Sequence, residues 1–119
     1  MSRRMLLRLV LFAAALVVAV TMALLPDPPQ LALEGFGDKY RHMTAFAVLS
    51  LLAARAFPSA SLWRVGERLS FLGAMIEVVQ SIPALHRDCD ILDWLADTAA
   101  IAVALLLVAA IRSRRRAAT

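Results

Sequence analysis

The chain has one cysteine among its 119 residues, Cys89. That excludes a disulfide within the chain and any metal site made only of thiolates. Charge is scarce as well: charged residues make up 18% and aromatic residues 7% of the sequence, so neither a solvated surface nor a stacking platform can cover much of it. The formal net charge of +4 would admit nucleic acid as a partner. However, the basic residues sit at the flanks of apolar runs with no aromatic side chains interleaved among them, and that excludes a base-stacking surface. No internal repeat or low-complexity segment is present, which leaves one domain by length.

Hydrophobic residues fill the space these absences leave. At 61% of the chain they exceed the apolar share of ordinary soluble domains, so the expected solvent is mostly lipid. Met1 to Arg8 is a short basic head, and Leu9 to Leu25 is an uncharged apolar run that, with its flanks, can cross a hydrocarbon core of about 30 Å at 1.5 Å per residue. A cleaved signal peptide shares this pattern. Thr21, Met22 and Ala23 form a poor small-residue cleavage site, so retention as a membrane helix is the expectation. Pro26, Pro28 and Pro29 stop the run. Apolar runs and proline stops together predict an all-α fold, a four-helix transmembrane bundle with helices near 6–25, 40–57, 67–82 and 92–111. Ser59 to Arg68, containing Trp63, Arg64 and Arg68, reads as an interfacial connector. The second helix is short for a span and needs its polar first turns in the headgroup region with Arg55 snorkelling at the other end, and the third is also short and is interrupted by Glu77.

Counting basic residues orients the bundle. With both termini cytoplasmic, ten of the thirteen lie inside: Arg3, Arg4, Arg8, Arg55, Arg64, Arg68, Arg112, Arg114, Arg115 and Arg116. Lys39, Arg41 and Arg87 lie outside, together with every acidic residue except Glu67. This is the lysine and arginine bias that sets topology, and it predicts a multi-pass membrane protein with both ends of the chain inside. The arginine tail reads as an anchor on anionic lipid.

The same topology collects the polar residues of the apolar segments at one membrane face. Asp38, Lys39 and His42 open the second helix, Glu77 and Gln80 close the third, and Arg87, Asp93 and Asp97 lead into the fourth. The spacings place Asp38 with His42, Glu77 with Gln80, and Asp93 with Asp97 on common helical faces. Gly73 below Glu77, and Ala100 and Ala104 below Asp97, would let helices approach closely. A charge near mid-bilayer costs about 2.5–3.5 kcal/mol on insertion scales, so these side chains should face the bundle interior. Two readings of the cluster stand side by side. In one, it is an outward-facing pocket in which Lys39, His42 and Arg87 meet an anionic or hydroxyl-rich ligand, oriented by Glu77, Gln80, Asp93 and Asp97. In the other, the polar groups merely satisfy one another and fix the packing. Catalysis would use Glu77 or His42 as general acid or base. The residues call for no cofactor. A divalent cation is disfavoured here, because Lys39 and Arg87 would already compensate the carboxylates.

At these residues the chain resembles the VanZ-like family of small bacterial membrane proteins. The resemblance spans about Asp38 to Ala104 and rests on the order and spacing of Asp38-Lys39…His42, Glu77…Gln80 and Arg87…Asp93. The family is named for a protein associated with low-level resistance to the glycopeptide teicoplanin. The resemblance therefore implies an envelope role, with a cell-wall precursor, glycolipid or glycopeptide as partner; the alternative is an enzyme modifying a lipid headgroup or wall precursor. Two positions differ from the family pattern: Asp97 stands where an asparagine is usual and Ala100 where a glycine is usual. The first adds a carboxylate to the site, and the second should slightly loosen a helix contact.

Overall fold

A computed structural model describes residues 1–25, 37–82 and 91–118, with side chains of the second helix described from Tyr40 onward. The described residues form four helices and no strand: α1 Arg3–Leu24, α2 Gly37–Ala56, α3 Leu62–Gln80 and α4 Ile91–Ala118. Ser2 caps α1 by accepting a hydrogen bond from the Met5 amide at 3.1 Å. At the other end of the chain, α4 continues through the arginine tail, so Arg112, Arg114, Arg115 and Arg116 are helical and do not trail from a helix ending near 111.

The start of α3 corrects the sequence reading. Trp63, Arg64, Glu67 and Arg68 belong to its first two turns, and the connector shrinks to 57–61, tightened by a hydrogen bond from the Ala60 amide to the Phe57 carbonyl at 3.1 Å. Ser61 precedes the helix in extended conformation, and no proline or glycine pair interrupts the following residues. Val65, Leu69, Gly73, Ile76, Glu77 and Gln80 are the buried positions, recurring at steps of three or four residues along one face with Ile76 and Glu77 side by side. The charges that suggested a connector occupy the opposite, exposed face.

Side-chain contacts set the helix directions. Ala54 near the end of α2 accepts a hydrogen bond from Arg112 near the end of α4, while His42 and Asp97 meet near the two beginnings, so α2 and α4 run parallel. Ser70 and Thr98 share a hydrogen bond at 2.9 Å, and the Trp94 indole N–H donates to the Ser70 carbonyl at 2.9 Å, which ties α3 antiparallel to α4. Phe12 of α1 meets Phe57 edge to face with ring centroids 5.6 Å apart, so α1 descends against the rising α2. Between the ends lies an apolar core that includes Phe46, Leu49, Ala53, Leu69, Ile76, Ile101 and Leu105.

Two consequences matter for the site. Arg4, Arg8 and Arg55 border one cleft at one end of the bundle, and Arg112 and Arg116 border another beside the α2–α3 connector, so these five arginines gather at one end. The ends of α1 and α3 and the beginnings of α2 and α4 gather at the other. Around the outside, every helix exposes large apolar side chains, among them Leu7 and Val18 of α1, Val48 of α2, Phe71 and Val78 of α3, and Val103 and Leu106 of α4.

Candidate functional site

The non-basic end of the bundle buries four polar side chains from three helices. His42 lies five residues into α2, Glu77 and Gln80 occupy the last turn of α3, and Asp97 stands two turns into α4. Each is on the buried face of its helix: relative exposure is 9% for His42, 6% for Glu77, 1% for Gln80 and 2% for Asp97. Because α2 and α4 run parallel, their second turns lie level, and antiparallel α3 delivers its final turn to the same height.

Donor atoms of His42, Glu77 and Asp97 lie within 4.8 Å of one another. Within this triad, His42 Nδ1 is 3.8 Å from Asp97 Oδ2, too long for a hydrogen bond and an ion contact only when the imidazole is protonated. Gln80 is anchored differently. Its Nε2 donates to the Ala23 carbonyl at 2.8 Å, satisfying a carbonyl in the last turn of α1 and fastening α1 to α3 beside the triad. One turn from Glu77 along α3, Gly73 lies between Phe46 of α2 and Trp94 of α4. A Cβ on Gly73 would stand 3.4 Å from each ring, an ordinary contact distance, so the glycine faces two aromatic side chains and not the backbone of a neighbouring helix.

A groove of about 600 Å³ between α1 and α2 leads to this level. Leu11, Ala15, Val18 and Met22 line it from α1, and Val48, Leu49 and Leu52 from α2, while Arg41 and His42 supply its polar end. His42 thus belongs both to the buried triad and to a groove open at the side of the bundle. Arg41 is half-buried there, and the sequence reading did not single it out as a site residue. Its position one residue before His42 was the available signal.

The remaining expected site residues are placed as follows. Asp93 is half-buried in the first turn of α4, one turn before Asp97. Asp38 and Lys39 occupy the first turn of α2, and their side chains lie outside the described residues, as does Arg87 altogether. Of the alanines expected beside Asp97, Ala104 is buried and Ala100 half-buried. Trp94, Ser70 and Thr98 join α3 to α4 through hydrogen bonds that no sequence spacing signalled.

Chemically, an imidazole and two carboxylates converging in a water-poor interior can hold a proton, a hydrogen-bond donor or a cation. The arrangement defines an all-α protein with a buried polar site near one end of its helices, two of which, α1 and α4, are long and apolar enough to cross a membrane. Comparison of the chain with protein-family models, with curated proteins and with solved structures returned no match.

Proposed function

We propose that the chain is a VanZ-like membrane protein of four spans, with both termini cytoplasmic in the bacterial inner membrane. In this reading it binds an amphiphilic envelope component, a lipid-linked cell-wall precursor or glycolipid, at the outer leaflet. The observation that carries the reading is the α1–α2 groove, apolar along its length and polar at Arg41 and His42. That is the distribution an acyl or prenyl chain with an anionic or hydroxylated headgroup would match. Four spans are supported by length: at 1.5 Å per residue, even the 19 residues of α3 reach about 28 Å, against a hydrocarbon core of about 30 Å. Large apolar side chains exposed on all four helices support the same reading, since a lipid surrounding would cover them where water would not. Retention of α1 is supported by the Gln80–Ala23 bond, which makes α1 part of the fold. The VanZ resemblance is supported by the joining of His42, Glu77 and Gln80, three of the residues on which it rests, at one level of the bundle.

The test uses the full chain in nanodiscs with a diazirine-bearing phospholipid probe. Labelling should concentrate on the groove residues of α1 and α2, fall when a lipid-linked wall precursor is added, and fall when Val18→Trp fills the groove. Labelling spread evenly over the lipid-facing residues of all four helices, unaffected by either change, would overturn the reading.

A further inference from the structure

We propose that His42, Glu77 and Asp97 form a binding site for one divalent cation of the Mn²⁺ or Zn²⁺ class, held between α2, α3 and α4. The donor set is one imidazole nitrogen and two carboxylate oxygens, each from a different helix and each on a buried side chain. Around a single ion with bonds of about 2.0–2.2 Å, neighbouring ligand atoms stand about 3–4 Å apart. The His42–Asp97 separation of 3.8 Å falls inside that interval although it is too long for a hydrogen bond. The donor atoms all lie within 4.8 Å, so side-chain rotation of about an ångström closes the set with no movement of the helices. Nitrogen in the set selects a transition cation over Mg²⁺ or Ca²⁺, which favour oxygen ligands alone.

A second observation points the same way. Gln80 is 1% exposed and lies one turn from Glu77 on the same face of α3. Its Nε2 is committed to the Ala23 carbonyl, and its Oε1 accepts no hydrogen bond among the described residues. With the nitrogen fixed toward α1, the amide oxygen is directed elsewhere, and a carboxamide oxygen is a natural partner for a cation or for water bound to it. Three protein ligands also leave coordination positions open, the mark of a site that takes a further ligand. His42 lines the α1–α2 groove as well, so the site adjoins the groove's polar end. The cation site stands whether or not the groove holds an amphiphile. It departs from the sequence expectation that a cation is disfavoured because Lys39 and Arg87 compensate the carboxylates: that expectation concerns the carboxylates alone, while the fold adds an imidazole to them.

The experiment takes the full chain in detergent, freed of any affinity tag and stripped with a chelator, and measures Mn²⁺ and Zn²⁺ uptake by equilibrium dialysis and elemental analysis. One equivalent should bind. His42→Gln and Asp97→Asn, which nearly preserve volume, should each weaken binding by about 100-fold or more, and Glu67→Gln on the exposed face of α3 should leave it unchanged. Added cation should raise the melting temperature of the wild type and leave that of Asp97→Asn where it was. Should the variants fail to fold, the wild type decides. Bound Mn²⁺ should show electron spin-echo modulation from an imidazole nitrogen that persists in His86→Gln, the only other histidine having been removed. No stoichiometric uptake, equal uptake by wild type and Asp97→Asn, or Mn²⁺ without nitrogen modulation would each overturn the proposal.

Discussion

Glu67 and Glu77 stand ten residues apart on α3, the first on an exposed face and the second 6% exposed against α2 and α4. The Glu67 side chain is exposed near the start of α3, where it can reach the headgroup region, so removing it changes little. Glu77 is held among polar groups that lose a partner when it goes, and an unsatisfied buried group costs about 1–3 kcal/mol. Glu77→Ala should therefore lower thermal stability by that order, while Glu67→Ala stays within about 0.5 kcal/mol; melting in one detergent compares them directly. Equal melting temperatures would remove the reason for singling out Glu77. Gln80 offers a sharper test because its partner is known. Gln80→Glu keeps the size of the side chain but turns a donor into an oxygen facing the Ala23 carbonyl, so it should destabilise more than Gln80→Leu, which leaves the carbonyl unbonded without repelling it. The reverse order would mean that the hydrogen bond does not fasten α1.

For the helices, the two glycines of α3 separate propensity from packing. Alanine in place of glycine inside a helix gains about 0.8–1 kcal/mol if its methyl group fits. A Cβ on Gly73 meets Phe46 and Trp94 at ordinary contact distance, 3.4 Å, whereas one on Gly66 meets Leu105 Cδ1 at 3.2 Å. Gly73→Ala should thus raise the melting temperature more than Gly66→Ala, whose gain is partly spent moving Leu105; a larger gain at Gly66 would contradict the packing. The same helix shows why some of the fold was legible in sequence and some was not. Carboxylates inside apolar runs stand out because lipid makes them costly, so Glu77 and Asp97 could be named in advance. Where α3 begins could not be read so directly, since Arg64, Glu67 and Arg68 resemble a connector until Val65 and Leu69 are seen buried beside them. The groove and the Trp94–Ser70 bond depend on which faces of two helices meet, and periodicity within one helix carries no such information. Arg112 illustrates the limit. Read as a lipid anchor, it also donates to the Ala54 carbonyl at 2.9 Å, placing a cation at the negative end of α2.

The molecule as a whole is polarised along its axis, with Arg4, Arg8, Arg55, Arg112 and Arg116 at one end and the buried triad, with Arg41 beside it, near the other. That separation turns a single topological measurement into a test of the function. Cys89 is the only thiol, and it lies in the segment joining α3 to α4, between the two helix ends that carry Gln80 and Asp93. If the basic end is cytoplasmic, as the excess of arginine there favours, this segment faces outward. A membrane-impermeant maleimide added to intact spheroplasts should then label the protein, and Cys89→Ser should abolish the signal. The labelling is scaled to a detergent-solubilised sample, which gives the full reactivity of the thiol. Labelling only in inverted vesicles would place the polar end in the cytoplasm. An outer-leaflet ligand would then have no access to Arg41 and His42, and the cell-wall reading would fall. The cation site would survive such a result, because its three ligands are assembled inside the bundle whichever way the bundle is inserted.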